Sequence, residues 1–293
     1  MDRQRLLVVG ATGFLGAHVI EAALSTKKYE VIRGERTSTG LDGSVTLDVS
    51  DPSSIDRAFE KCRPDLVLLL AAMSDIDKCE AFPTEAFATN ARGAEHVANA
   101  CVRSNAQLLF TSTAAVFNGS KHGYSEEDEA SPLSVYGMSK LWAENAIKSL
   151  LPSAIIVRFA LVLGFAGTAG TNAMLNATIA KWKAGIPTFF STREERNPID
   201  AQLLSRIMID MLSDSAISGV YHTGSLDSLS RYELGLRLAA YAGVSPDLVR
   251  PQNDAVPGRA PRGERHFLLT DKIRMVRGSE VGSSDQVIER CFS

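Results

Sequence analysis

The run "VVGATGFLG" at residues 8–16 constrains this chain more than any other stretch. It follows the short apolar run "RLLVV" and leads directly into a helical pattern from Phe14 to Leu24. Gly10, Gly13 and Gly16 therefore form G-x-x-G-x-x-G at a strand-to-helix turn. The first glycine permits the tight turn. The second lets a pyrophosphate come against the backbone, and the third lets the helix pack close on the strand. The helix N-terminus then faces the negative charge. A glycine triplet alone is a weak signal, but at the opening of a βαβ unit it points to a dinucleotide.

The rest of the first half fits that unit. "YEVI", "SVTL", "DLVLLLAA", "AQLLFTS" and "AIIVRF" read as short strands, apolar on both faces. Helical patterns lie between them, near 53–60, from about 84 to 103, and around Tyr136 and Lys140. Such alternation predicts a doubly wound, Rossmann-type parallel sheet of the α/β class. Beyond Phe159 the texture changes. "ALVLGFAGTAGTN" (160–172) and "RPQNDAVPGRAPRGERHF" (250–267) read as loops. A helix is expected near 173–184, a further strand at "GVYHTG", and a helix in "SRYELGLRLAAYAG" with Ser230 as N-cap and Gly243 beyond its end. The expected division is a dinucleotide-binding domain over 1–160 plus about 197–222. A smaller, interleaved C-terminal α/β lobe for substrate covers about 161–196 and 223–293.

Bulk properties exclude several classes. Basic and acidic residues nearly balance, at 31 and 34, so nothing demands nucleic acid. Four scattered cysteines and five dispersed histidines show no metal-ligand spacing, and no metal is expected. The longest apolar run falls far short of the ~20 residues of a membrane helix. The opening residues do not form a signal peptide, and a soluble cytoplasmic protein is expected. The acidic run Glu126–Glu129 reads as a solvated loop.

Candidate site residues collect at the expected carboxyl ends of the strands. After the second strand, "EVIRGERTS" offers Glu35 for a ribose diol, as in NAD binding, and Arg33 and Arg36 for a 2′-phosphate, as in NADP binding. NADP(H) is slightly favoured, with NAD(H) left open. Asp48 in "LDVSD" either reaches the adenine or caps a turn. "FTSTAAVF" puts the hydroxyls of Thr111, Ser112 and Thr113 at the sheet edge. Some twenty residues on, "YGMSK" places Tyr136 and Lys140 on one helix face.

Together, "GATGFLG", "LDVSD", "LAA", "ATNARGAEHVANAC", "TSTAAVF", "YGMSK" and "VRFALVLG" resemble the extended short-chain dehydrogenase/reductase superfamily over nearly the full length. "AAMSDIDKCE", "GVYHTGSLDSLSRYELGLRLA" and "GRAPRGERHFLLTDKIR" are most similar to its sugar-nucleotide-modifying branch, the dTDP-4-dehydrorhamnose reductases above all. The resemblance implies catalytic roles for Thr113, Tyr136 and Lys140. Tyr136 would be the acid/base, and Lys140 would hold the nicotinamide ribose and favour the tyrosinate. It implies cofactor contacts at Gly10, Thr12, Gly13, Phe14, Leu15, Gly16, Glu35, Arg36, Asp48, Val49, Ala71, Ala72, Tyr136 and Lys140. Substrate contacts or supports are implied at Ser74, Asn90, Arg158, Arg259 and Arg262. The expected substrate is a nucleotide sugar, without nucleic acid or membrane, and relatives pair as homodimers through a helix bundle that would include the Tyr136 helix. One departure is that Ala114 and Ala115 replace the Asp and aromatic usual after the catalytic Thr. That keeps a sugar-nucleotide epimerase open, beside a non-catalytic cofactor-binding subunit.

Overall fold

The computed structural model describes residues 3–37, 39–165, 174–254, 257–277 and 281–293. Strand β1 (Gln4–Val9) runs into the glycine turn, and helix α1 (Phe14–Ser25) starts after Gly13. Gly10 has φ +92°, and a Cβ on Gly16 would lie 2.4 Å from the Gly10 carbonyl oxygen, so the turn closes only with glycine. Next come β2 (Tyr29–Glu35), β3 (Ser44–Thr46), α2 (Pro52–Cys62) and β4 (Leu66–Leu69). Asp51 starts α2 by accepting from the Ser53 N–H, with proline in the first turn.

The helix expected over about 84–103 is interrupted. After α3 (Ile76–Ala81) and α4 (Pro83–Ala86) comes a π-helical stretch, Phe87–Arg92, then α5 (Gly93–Ser104). Asn90 is buried in that stretch. Its side chain accepts from the Met73 N–H at 2.7 Å and donates to the Met73 carbonyl at 3.0 Å. It also donates to Ser139 Oγ at 3.1 Å. Widened turns of this kind are rare, and they are found frequently at functional sites.

The chain continues with β5 (Gln107–Thr113), α6 (Val135–Leu150), β6 (Ile155–Phe159), β7 (Leu161–Leu163), α7 (Met174–Lys183), β8 (Thr188–Ser191) and β9 (Glu195–Arg196). Then come β10 (Pro198–Asp200), α8 (Ala201–Leu212), β11 (Gly219–Thr223), β12 (Leu229–Ser230), α9 (Arg231–Tyr241), β13 (Val249–Gln252), β14 (Arg265–His266), α10 (Asp271–Arg277) and α11 (Ser284–Phe292). One sheet has the order β11-β6-β5-β4-β1-β2-β3, all parallel. On one face Leu7, Val9, Leu69 and Phe110 pack against α2, α5 and α6. On the other, Leu6, Val8, Leu68 and Leu109 meet α1 and α8. Burial on both faces explains the unbroken apolar strands. The strand order reverses between β1 and β4, which opens a crevice at their carboxyl ends.

The second lobe packs Leu175, Trp182, Leu234, Leu238, Val287 and Ile288 together. Ser230 and Glu233 form a capping box at the start of α9, and Gly243 follows its end with φ +64°. The two stretches read as loops contain strands. Leu161–Leu163 pairs with β10, Val249–Gln252 with β8, and Arg265–His266 with β9. These strands are too short to show a period, and partners distant in sequence define them. Residues 166–173 and 255–256, where part of those loops and the start of the expected 173–184 helix fall, lie outside the described residues. Ile273 and Val281 join the core of the large sheet, so the chain returns to the first lobe inside the stretch assigned to the second. The acidic run is also not merely solvated. Glu126 accepts from the His222 N–H at 2.9 Å, and Asp128 pairs with Lys121 and Ser125. Among the described residues no helix is long and apolar enough to cross a membrane.

Candidate active site

Two local features bring Thr113 and Tyr136 together. Ser134 Oγ accepts from the Gly137 N–H at 3.2 Å and so starts α6 just before Tyr136. A Cβ on Gly137 would lie 2.2 Å from the Ala115 carbonyl oxygen, so glycine lets α6 rest on the turn that follows β5. Both side chains line one cleft of about 420 Å³, shared with Ser74, Arg196, Arg262 and His266. Thr113 Oγ1 accepts from the Ala115 N–H at 3.1 Å.

Burial pushes the Tyr136 phenol up to about 12, with hydrogen bonding to Thr113 opposing and Cys79 adding to the rise. Lys140 is 2% exposed, its Nζ 3.9 Å from the Phe110 ring centroid. Burial pushes it down to about 7, against the pull of Glu144. In the chain by itself burial sets the direction for both groups: it raises Tyr136 and lowers Lys140.

The crevice between β1 and β4 fits a dinucleotide. A Cβ on Gly10 would lie 2.8 Å from Ala71 N, so the two strand ends come close there. Gly13, the N-cap of α1, closes the helix end with no side chain, and Thr12 and Gly13 are exposed. Phe14, Leu15, Ala71 and Ala72 are half-buried along the crevice, while Val49 is buried in the core against α5. At the adenosine end, Glu35 is buried and accepts from the Thr39 N–H at 2.9 Å and the Thr39 hydroxyl at 2.8 Å. Arg33 donates to the Asp42 carbonyl, whereas Arg36 is exposed. Asp48 takes its turn-forming role, accepting from Ser50 N–H and Oγ at 2.9 and 2.6 Å. Those bonds, helped by Arg36, hold its carboxyl below the usual range.

The remaining expected substrate residues divide. Ser74 and Arg262 line the cleft. Asn90 supports the bend at Met73 from behind it. Arg158 does not reach the cleft. It is buried, with Nε 2.8 Å from Glu144 Oε1 and Nη2 2.6 Å from Oε2. Arg259 pairs with Glu194 at 2.6 Å, and Arg262 makes a two-pronged contact with Asp77 at 3.0 and 2.9 Å.

The RmlD substrate binding domain family matches residues 4–293. The chain belongs to this family. It is 32% identical over 267 residues to the dTDP-4-dehydrorhamnose reductase of Mycobacterium tuberculosis, across 88% of this chain and 83% of that one. Among solved structures, dTDP-4-dehydrorhamnose reductase from Yersinia enterocolitica superposes with a TM-score of 0.86 at 26% identity, covering 99% of this chain and 100% of that one. The Bacillus anthracis dTDP-4-dehydrorhamnose reductase in complex with NADP superposes at 0.88 and 24% identity over 99% of both chains, a likeness of fold.

In this RmlD-family chain three polar residues of the cleft region escaped the sequence reading. Arg196 lines the cleft and donates to the Gly263 and Glu264 carbonyls at 3.1 and 3.0 Å, and burial pushes it down to about 10. His266 sits beside it, its Nε2 3.0 Å from the Phe117 carbonyl. Arg231 faces an adjoining cavity of about 800 Å³ that also takes in Arg259 and Arg262. One signal was available for Arg231. It is the first residue of α9, where a cation opposes the helix dipole, and such a locally unfavourable choice marks a residue placed for another purpose.

Proposed function

We propose that this chain uses NADPH to reduce the keto group of a nucleotide-activated 4-keto sugar, with dTDP-4-dehydrorhamnose the first substrate to test. The observation that carries the reading is the convergence of Thr113 and Tyr136 in one cleft with Ser74, Arg196 and Arg262, with Lys140 one helical turn from Tyr136. The name of the 32%-identical relative, dTDP-4-dehydrorhamnose reductase, supports it. A bound nicotinamide dinucleotide supplies the hydride. Tyr136, pushed up to about 12, holds its proton at neutral pH and gives it to the substrate oxygen. The Thr113 hydroxyl bonds the same oxygen, and Lys140 holds the nicotinamide ribose. The turn at Gly10, Gly13 and Gly16 takes the pyrophosphate. Glu35 is committed to Thr39, and the exposed Arg36 is a cation open to the adenosine ribose, which favours NADPH over NADH.

In this reading the parallel-sheet lobe holds the cofactor and the smaller lobe selects the sugar. A cytoplasmic homodimer is part of the proposal. Met138 and Trp142 of α6, 41% and 40% exposed, supply an apolar face for pairing. The test is NADPH and NADH oxidation against a panel of nucleotide 4-keto sugars. Oxidation with one sugar supports the proposal, and silence across the panel despite tight NADPH binding overturns it. A second reading, a sugar-nucleotide epimerase, draws on Ala115, which lines the cleft where a reductase usually has a larger residue. A retained cofactor that does not exchange with free NADPH would favour it.

A further inference from the structure

We propose that Glu144 is a positioning residue of this site: buried one turn beyond Lys140, it holds the lysine as a cation and ties α6 to the strand that ends in Thr113. The inference rests on the roles given above to Thr113, Tyr136 and Lys140.

Glu144 is 0% exposed. Its Oε1 accepts from Ser112 Oγ at 2.5 Å and from Arg158 Nε at 2.8 Å, and its Oε2 accepts from Arg158 Nη2 at 2.6 Å. Ser112 directly precedes Thr113 in β5, and Arg158 is its register partner on β6. One carboxylate therefore grips two adjacent strands at the edge where the substrate oxygen would sit. Successive side chains on a strand point to opposite faces, so Ser112 reaches Glu144 from the face opposite Thr113. The Arg158 guanidinium is held in turn, 5.1 Å from the Phe117 ring centroid and 3.4 Å from His222 Nε2.

A plain tie between a helix and a sheet does not need charge. Apolar side chains of similar volume fill such a gap at no desolvation cost, and buried ion pairs are often no better for stability. The charge acquires a purpose from its position on α6. Glu144 lies four residues after Lys140 and so on the same helix face. The Lys140 ammonium lies over the Phe110 ring, and burial works against its charge. Glu144 is the group that works for it. The charged and titratable groups around Glu144 are Arg158 from β6, His222 from β11 through Arg158, and Lys140 and Lys148 from α6. Tyr136 lines the cleft, and Cys79 is close enough to raise it.

The test reads Lys140 in the protein without cofactor or substrate. Lysine carrying a carbon-13 label at Cε is titrated by NMR, with Lys140 assigned by its loss in Lys140→Met. The wild-type midpoint is expected near 7. In the double variant Glu144→Gln/Arg158→Gln, which leaves no orphan arginine, the midpoint should fall by about one unit, a tenfold loss of proton affinity. The upper pH limit of NADPH binding should move down with it. Should the glutamine pair not fold, Glu144→Met/Arg158→Met fills the same space without charge and is read the same way. A folded double variant whose Lys140 titrates as in the wild type overturns the proposal and leaves Glu144 a structural tie. That failure is separate from failure of the functional reading, which would appear as a wild-type protein that oxidises NADPH with none of the sugars.

Discussion

Lowering the pH should loosen the fold around the cleft through two histidines. His222 is 0% exposed and His266 5%. His222 Nδ1 lies 3.1 Å from the Tyr124 carbonyl and its Nε2 3.4 Å from Arg158 Nη1, which assigns the proton to Nδ1 and leaves Nε2 to accept. His266 Nε2 donates to the Phe117 carbonyl. Burial, with Arg158 beside one ring and Arg196 beside the other, pushes both down to about 3. Unfolded, each titrates near 6.5. Between these values the unfolded chain binds more protons, so stability is complete above about pH 6.5 and is lost as the pH falls toward about 3. At about pH 5 a histidine kept neutral forfeits about 2 kcal/mol, and the pair about 4 kcal/mol. The depressed Lys140 acts almost wholly above this window. Urea unfolding followed by tryptophan fluorescence and by circular dichroism, at about pH 7.5 and about pH 5, measures the difference. His222→Gln and His266→Gln should each remove about half of it. A midpoint that stays level between the two pH values, or a loss that survives in both variants, would refute the reasoning.

Replacing Tyr136 with Phe should leave NADPH binding intact and cut turnover roughly 10²–10⁴-fold, as loss of general acid catalysis does; normal turnover in the variant would remove Tyr136 from proton transfer. Gly137→Ala puts a Cβ against the Ala115 carbonyl and should cost about 1–3 kcal/mol of stability and most of the turnover, measured by thermal melting and NADPH oxidation. Arg36→Ser should raise the KM for NADPH roughly 10–100-fold and leave that for NADH unchanged, which steady-state kinetics with both cofactors would establish.

The first half of the molecule was legible because its signals are local. The glycine turn, the apolar strands and the spacing of Tyr136 and Lys140 all act within a few residues, where period and turn chemistry decide the backbone, as does the α9 cap at Ser230 in the second lobe. The place of Thr113 at a strand end followed from the same logic. The sequence did not determine where the charged side chains would spend their charge. Arg158 looked as available to a substrate as Arg262, but the packing of α6 on β6 gave it Glu144 as a partner. Arg196, Arg231 and His266 reached the cleft region only because two- to four-residue strands paired across long gaps in the chain, such as β9 with β14. Asn90 needed a widened helical turn to reach Met73. Helix and strand are written in the sequence because neighbouring residues decide them, whereas the partners of a buried charge are decided by which distant elements the core brings together.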